Sequence, residues 1–277
     1  CGMEFSDYLP NLATCADDLL MVRSLHSDQF NHHPGQLVMQ CGRAMFGLPT
    51  MGSWLNYGLG SVSQNLPGYV VLTAGRGSSG GATLWQSGFL PSVYEGVRFR
   101  NQGDPVLNLS NPAGLPPELQ RKGLDVLRDL NRSRYQEIHD PEIASRISAY
   151  ELAFRMQAEA PDIVDLSRET EATKRMYGME DADTAGFGRQ GLLARRLVEK
   201  GVRFTLLVHG VENKKYSWDD HGSINELHPQ HCKEVDRPIA GLLRDLKQRG
   251  LLESTIVLFS GEFGRLPVAQ GRAGRDH

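Results

Sequence analysis

Two stretches decide how this chain folds: Arg203-Phe204-Thr205-Leu206-Leu207-Val208 and Thr255-Ile256-Val257-Leu258-Phe259-Ser260. Each is a short apolar run that follows an amphipathic segment closed by a glycine. The first segment runs from Phe187 to Lys200 and stops at Gly201; the second runs from Glu234 to Arg249 and stops at Gly250. A helix, glycine and strand repeated in this way predict an α/β fold, with a mostly parallel central sheet flanked by helices. The two strands are expected to lie parallel and close in one sheet, because a helical crossover joins them. Polar side chains follow each strand. After the first come His209 and then Trp218-Asp219-Asp220-His221; after the second comes Gly261-Glu262-Phe263-Gly264-Arg265, and the chain closes on Gly274-Arg275-Asp276-His277. Ligands of open α/β sheets gather outside the carboxyl ends of the strands, so these clusters are expected to converge there.

Working outward, Tyr69-Val70-Val71-Leu72 reads as a further strand. The loop after it, Gly75-Arg76-Gly77-Ser78-Ser79-Gly80-Gly81, has a backbone able to wrap an anion, but it lacks the G-x-x-x-x-G-K-[ST] pattern and reads better as a surface loop. Toward the N-terminus, Leu9, Leu12, Ala13, Ala16, Leu19 and Leu20 fall at helical spacing, and Met21 to Leu25 is expected to be a short buried strand. A polar cluster from His26 to Pro34 leads to a short helix over Gly35 to Cys41. From Pro116 to about Thr173 the sequence turns charged and helical. Asp140 is expected to cap a helix that opens with Pro141 and places Ile143, Ile147, Tyr150 and Phe154 on one face. Residues 116–173 therefore read as a helical insertion in a single domain spanning 1–277. That domain reads as incomplete, because Cys1 and His277 look like cut ends of a longer protein.

With 277 residues and 40% hydrophobic side chains the chain is long and apolar enough to bury a core. Thirty basic against thirty-three acidic residues, a net charge of -3, leave no excess positive charge to neutralise a nucleic-acid backbone, so nucleic acid is not expected as a partner. No apolar run reaches the ~18 residues of a membrane span. Four cysteines without C-x-x-C spacing read as free thiols. The sequence leaves the oligomeric state open.

Asp219, His221, Glu262, Asp276 and His277 are the candidate metal ligands, since carboxylate oxygens and imidazole nitrogens bind divalent ions such as zinc. Taken singly, each also has an explanation as a solvated or capping residue. His228 and His231 are spaced to share a helix face, or else are exposed residues leading into the helix. Ser27 stands just beyond the expected strand Met21 to Leu25, at the edge of a helix whose N-terminus favours an anion. Two readings of it remain side by side: a hydroxyl activated as a nucleophile, and a helix cap shared with Asp28.

Several motifs resemble one bacterial family. They are Arg23-Ser24-Leu25-His26-Ser27 with Asn31-His32, Gly52-Ser53-Trp54-Leu55-Asn56-Tyr57-Gly58-Leu59-Gly60 with Asn65-Leu66-Pro67, and Gly88-Phe89-Leu90-Pro91. Asp140-Pro141-Glu142-Ile143, Leu193-Ala194-Arg195-Arg196-Leu197 and Trp218-Asp219-Asp220-His221-Gly222 belong with them, as do Gly261-Glu262-Phe263-Gly264-Arg265 and Gly274-Arg275-Asp276-His277. The family is the sulfatase-like domain-of-unknown-function family 1501, and the resemblance covers nearly the whole chain. It implies an alkaline phosphatase-like fold, a divalent metal cofactor (zinc, or calcium, magnesium or manganese), and hydrolysis of phosphate or sulfate esters carried on a small molecule or polysaccharide. Ser27 then resembles the superfamily's nucleophile, Asn31 a residue holding a non-bridging oxygen, and Arg265 or Arg275 a partner of the oxyanion. A periplasmic or extracellular location is implied by the resemblance alone. Three departures accompany it. Phe263 stands where a histidine is usual, and the early aspartate ligand is expected upstream of Cys1. The formylglycine motif of true sulfatases is absent, since Cys41-Gly42-Arg43 lacks its proline. A catalytically degenerate member serving as a binding or structural protein is the alternative.

Overall fold

The computed structural model describes residues 2–75, 77–100, 103–210, 218–269 and 273–277. Three strands, β1 (Tyr69–Ala74), β2 (Val97–Phe99) and β3 (Phe204–His209), form a parallel sheet in the order β2-β1-β3. Along β3 the register runs from Tyr69 opposite Phe204 to Ala74 opposite His209. The central strand explains its own sequence. Tyr69, Val70 and Val71 are 0% exposed, as a strand covered on both faces requires a continuous apolar run. Val70 and Leu72 face Phe99, Met156, Ala160, Leu192 and Leu197, whereas Tyr69 and Val71 face Leu37, Leu84 and Trp85. Full burial of such side chains stabilises the fold by about 1.5–3 kcal/mol each.

Helices α1 (Pro10–Ala13), α2 (His32–Cys41) and α3 (Met51–Leu59) precede the sheet. Between β2 and β3 come α4 (Pro117–Ile138), α5 (Pro141–Val164), α6 (Glu171–Met176) and α7 (Ala185–Glu199); α8 (Ile224–Gln248) follows β3. The expected cap of α5 is present, with Asp140 accepting from the Glu142 amide at 2.9 Å and Pro141 opening the helix. The side of α5 turned to the core is Met156, Ala160 and Ile163. The face expected from Ile143 to Phe154 instead meets α4 in part: Phe154 lies 5.0 Å under the Arg121 guanidinium, and Tyr150 stays 43% exposed. Beyond α7 and α8 the chain reverses at Gly201 (φ +78) and Gly250 (φ +68), a left-handed conformation that glycine adopts without Cβ strain.

Two expected strands are corrected by the structure. Thr255–Ser260 joins no ladder among the described residues, so it is not the parallel neighbour of β3. Only Val257 is drawn inward, onto the cluster of Leu12, Val235 and Leu243, while Ile256 is 96% exposed and Leu258 and Phe259 are more than half exposed. Met21 to Leu25 likewise forms no strand, and its apolar side chains are exposed. Upstream, the helical periodicity of Leu9 to Leu20 shrinks to α1 and one turn over Ala16–Asp18. Its anchor is Asp236 of α8, whose carboxylate accepts from the amides of Asn11 (2.9 Å) and Leu12 (2.7 Å) and so satisfies donors at the start of α1. Among the described residues no helix is long and apolar enough to cross a membrane. Cys15, Cys41 and Cys232 are free; Cys1 lies outside the described residues.

Candidate metal centre

Three segments meet beside the carboxyl end of β3. The first is the start of α2, where His32 is the first helical residue. The second is Trp218-Asp219-Asp220-His221, held to the strand end because the Trp218 indole donates to His209 Nδ1 at 2.9 Å. The third is the pairing of 266–268 with Asp276: the Leu266 amide donates to the Asp276 carbonyl (2.8 Å) and the Asp276 amide to that of Val268 (3.1 Å). The second and third segments are themselves bonded, Arg275 N to Asp220 O at 3.0 Å and Ile224 N to Ala273 O at 2.9 Å. Only glycine fits at 274, where a Cβ atom would lie 2.1 Å from the His221 carbonyl carbon.

In this setting three imidazoles share one arrangement. His32 Nδ1 lies 2.7 Å from Glu262 Oε1, His221 Nδ1 lies 2.9 Å from Asp276 Oδ1, and His277 Nδ1 contacts the Phe30 carbonyl oxygen. Carboxylates and a carbonyl only accept, so each Nδ1 carries the hydrogen, which in the neutral form of the ring leaves the lone pair at Nε2. All three Nε2 atoms point at Asp219. His32 Nε2 is 3.1 Å from Asp219 Oδ2, and His221 and His277 Nε2 are each 2.9 Å from Oδ1. His221 and His277 Nε2 are 3.1 Å from one another. His32 Nε2 is buried and makes no hydrogen bond despite its short distance to Asp219. Lone pairs facing lone pairs repel unless a cation lies among them. These separations also approach the edge of a tetrahedron, ~3.3 Å for ligand bonds near 2.05 Å. His32, Asp219 and His277 have ligand atoms within 4.8 Å of one another, and His221 adjoins two of them. The donor set fits a divalent ion. Glu262 and Asp276 stand behind their histidines, where they fix ring orientation.

Arg265 Nη2 sits 2.6 Å from Asp219 Oδ1 and Nη1 donates to the Arg275 carbonyl at 3.0 Å, so this guanidinium is already engaged. Side-chain exposures of 27% for His32, 37% for Asp219 and 43% for His221 leave one side of the cluster open to solvent.

Of the residues singled out from sequence, Asp219, His221, Glu262, Arg265, Asp276 and His277 come together here. Ser27 does not touch them: its hydroxyl accepts from the Gln29 amide at 3.2 Å. The N-cap position of α2 belongs to Asn31, whose side chain makes no capping bond, so neither Ser27 nor Asp28 caps this helix. His32 was not among the expected ligands, although it belongs to the quoted Asn31-His32 pair. Its neighbour His33 points away to the Thr83 hydroxyl (3.0 Å). In the glycine-rich loop, Gln36 Oε1 accepts from Ser79 Oγ (3.1 Å) and Gly80 N (3.0 Å), which spends two donors inside the protein; Arg76 lies outside the described residues, as do residues 211–217 of the loop before Trp218.

No curated protein and no solved structure matches the chain. A family profile matches it from residue 1 to residue 277. The chain therefore belongs to the family described as "Protein of unknown function (DUF1501)".

Proposed function

We propose that this protein is a divalent-metal-dependent hydrolase of phosphate or sulfate esters, with an alkaline phosphatase-like, sulfatase-like fold that works without formylglycine. The observation that carries the reading is the convergence of three Nε2 lone pairs on the Asp219 carboxylate, with every Nδ1 held from behind. Imidazoles with one carboxylate suit zinc better than calcium or magnesium, which favour all-oxygen shells. His32, Asp219, His221 and His277 hold the ion; Glu262 and Asp276 orient two of the rings. The open side fits a catalytic rather than a structural site, since structural zinc sites are closed by their protein ligands. When bound, such an ion supplies charge stabilisation on ester oxygens and lowers the pKa of a hydroxyl. Arg265 keeps Asp219 ionised and fixed. Ser27, shortly before His32, is the hydroxyl assigned to attack the ester, on the strength of the sequence resemblance.

One observation favours the alternative of a metal-binding protein without turnover. The Phe263 ring lies 5.3 Å from the His32 ring and 4.6 Å from that of His277, so an apolar group occupies the ground where a second ion would need a ligand. Metal content by mass spectrometry, together with hydrolysis of p-nitrophenyl phosphate and p-nitrophenyl sulfate, separates the readings. Stoichiometric zinc with turnover that a chelator removes supports the hydrolase. Stoichiometric metal without turnover on either ester supports the alternative, and no bound metal overturns both.

A further inference from the structure

We propose that His231 of α8 is a positioning residue for the candidate centre: it holds the buried Asp220 carboxylate and so fixes Asp219 and His221 against Asp276 and His277. The inference rests on reading the cluster as a metal centre. Asp220 lies between two of the four converging residues, yet it is turned the other way. It is 2% exposed, whereas the flanking side chains are 37% and 43% exposed. Its carboxylate lies 3.4 Å from Nε2 of His231, which is 0% exposed. Among the described residues neither carboxylate oxygen and neither ring nitrogen of this pair forms a hydrogen bond, and the two groups face one another at ion-pair distance.

A carboxylate in that position is costly unless a cationic or donor group faces it, and an imidazole is short enough to serve from inside the helix packing. The other acid on this side of α8, Glu234, is engaged by His209, whose Nε2 lies 3.3 Å from its Oε2. Trp218 covers His231 at 5.2 Å between ring centroids, and its indole is tied to His209. On its backbone, Asp220 accepts the Arg275 amide at 3.0 Å. One residue thus links α8 through its side chain to the terminal segment through its carbonyl. Lifting the loop would strip both buried groups of their partner at once, which holds Asp219 and His221 to a single position.

The test uses the whole chain with Asp220→Asn, which keeps the shape, His231→Phe, and the double variant. Two readouts are taken: zinc affinity by chelator competition, and native-state hydrogen exchange at the amides of Arg275 and Ile224, with Val71 in β1 as reference. The expected result is a 10- to 100-fold weaker zinc Kd in each single variant, the size typical when a group supporting a ligand is removed. The double variant should be no weaker than the singles, because the pair acts as a unit. Exchange at Arg275 and Ile224 should quicken while Val71 is unchanged. Should His231→Phe fail to fold, Asp220→Asn carries the test alone. A zinc Kd within about twofold of wild type with unaltered exchange at Arg275, or exchange quickened equally at Val71, overturns the proposal. If wild-type protein binds no zinc, the metal reading fails, while exchange at Arg275 still decides whether the pair anchors the loop.

Discussion

Replacing Asp219 by asparagine keeps the shape of the centre and reverses the sense of its contacts. In the metal-free protein, rings in the neutral form with hydrogen on Nδ1 present lone pairs to an acceptor; an asparagine amide presents donors instead. Up to two amide–imidazole hydrogen bonds form, each stabilising by about 0.5–1.5 kcal/mol. Against this stands the lost pairing with Arg265, which for a carboxylate 37% exposed costs about 0.2–1 kcal/mol. The metal-free variant is therefore expected to be as stable as wild type or slightly more so, within about 2 kcal/mol, which for a chain of this length moves Tm by about 4–8 °C at most. Zinc at one hundred times Kd stabilises wild type by about 2.7 kcal/mol, and the variant, lacking the charged ligand, gains almost nothing. Thermal melts with chelator and with zinc measure both quantities. A metal-free variant that loses about 3–5 kcal/mol, the size of a broken buried ion pair, yet shifts with zinc as wild type does, would refute the argument. That pattern would mean charged imidazoles donate to Asp219 and hold the site as a salt bridge.

Ser27→Ala is expected to abolish ester hydrolysis and leave zinc content unchanged; because the hydroxyl caps no helix, stability should fall by less than about 0.5 kcal/mol, and undiminished turnover would remove Ser27 from the mechanism. Arg195, 2% exposed, faces Glu169 at 2.7 Å and Asp245 at 3.0 Å and also pairs with Glu199, so Arg195→Met should cost about 3–5 kcal/mol in urea unfolding despite the remaining Arg196 and Arg249 contacts; a loss under about 1 kcal/mol would contradict the reasoning. Acid should destabilise the protein through Glu169. Burial acts to raise its pKa, but Arg195 and Arg196 outweigh it, so the carboxyl ends below its usual range. A depressed folded pKa gives stability that is complete above the unfolded value, about 4, and is lost as pH falls through the folded value. Urea midpoints at pH 3 and pH 7 test the sign, and equal midpoints would deny it.

Much of the fold follows from local sequence, and the failures have one cause. β1 and β3 were readable as apolar runs, and α7 was readable because Gly201 closes it. β2 escaped notice: it is three residues long and carries the exposed Arg98 between Val97 and Phe99, too little for a period to register. Thr255–Ser260 shows the converse. An apolar run specifies an extended backbone, but a ladder also requires a partner, and Val257 finds its contacts on α8 while the rest of the run turns outward. The α8 boundary moved for a similar reason. Pro229 discourages extending a helix ahead of Glu234, yet His231 and Cys232 are buried in the same continuous helix Ile224–Gln248 as Val235, Ile239, Leu243 and Leu246, and tertiary packing overrides local preference.

At the candidate centre, residue type and position after a strand were enough to single out Asp219, His221 and His277 as groups that come together, but not to rank the groups around them. Glu262 and Asp276 have the chemistry of ligands and lie on Nδ1 of histidines instead, a distinction that only ring orientation makes. His32 was hidden among neighbours of its own kind, since His26, His32 and His33 fall in one polar cluster. Helical geometry separates them. Successive residues on a helix turn by roughly 100°, so on the first turn of α2 His32 faces Glu262 and Asp219 while His33 faces Thr83. His26, before the helix, is 82% exposed beside Asp28. Gly35 completes the selection: Phe263 and Glu262 pack so closely on it that a Cβ there would lie 3.0 Å from the Phe263 ring and 3.4 Å from the Glu262 Cβ. A side chain at 35 would therefore press first on the Phe263 ring, which lies against the rings of His32 and His277, while Glu262 stays at ordinary contact distance.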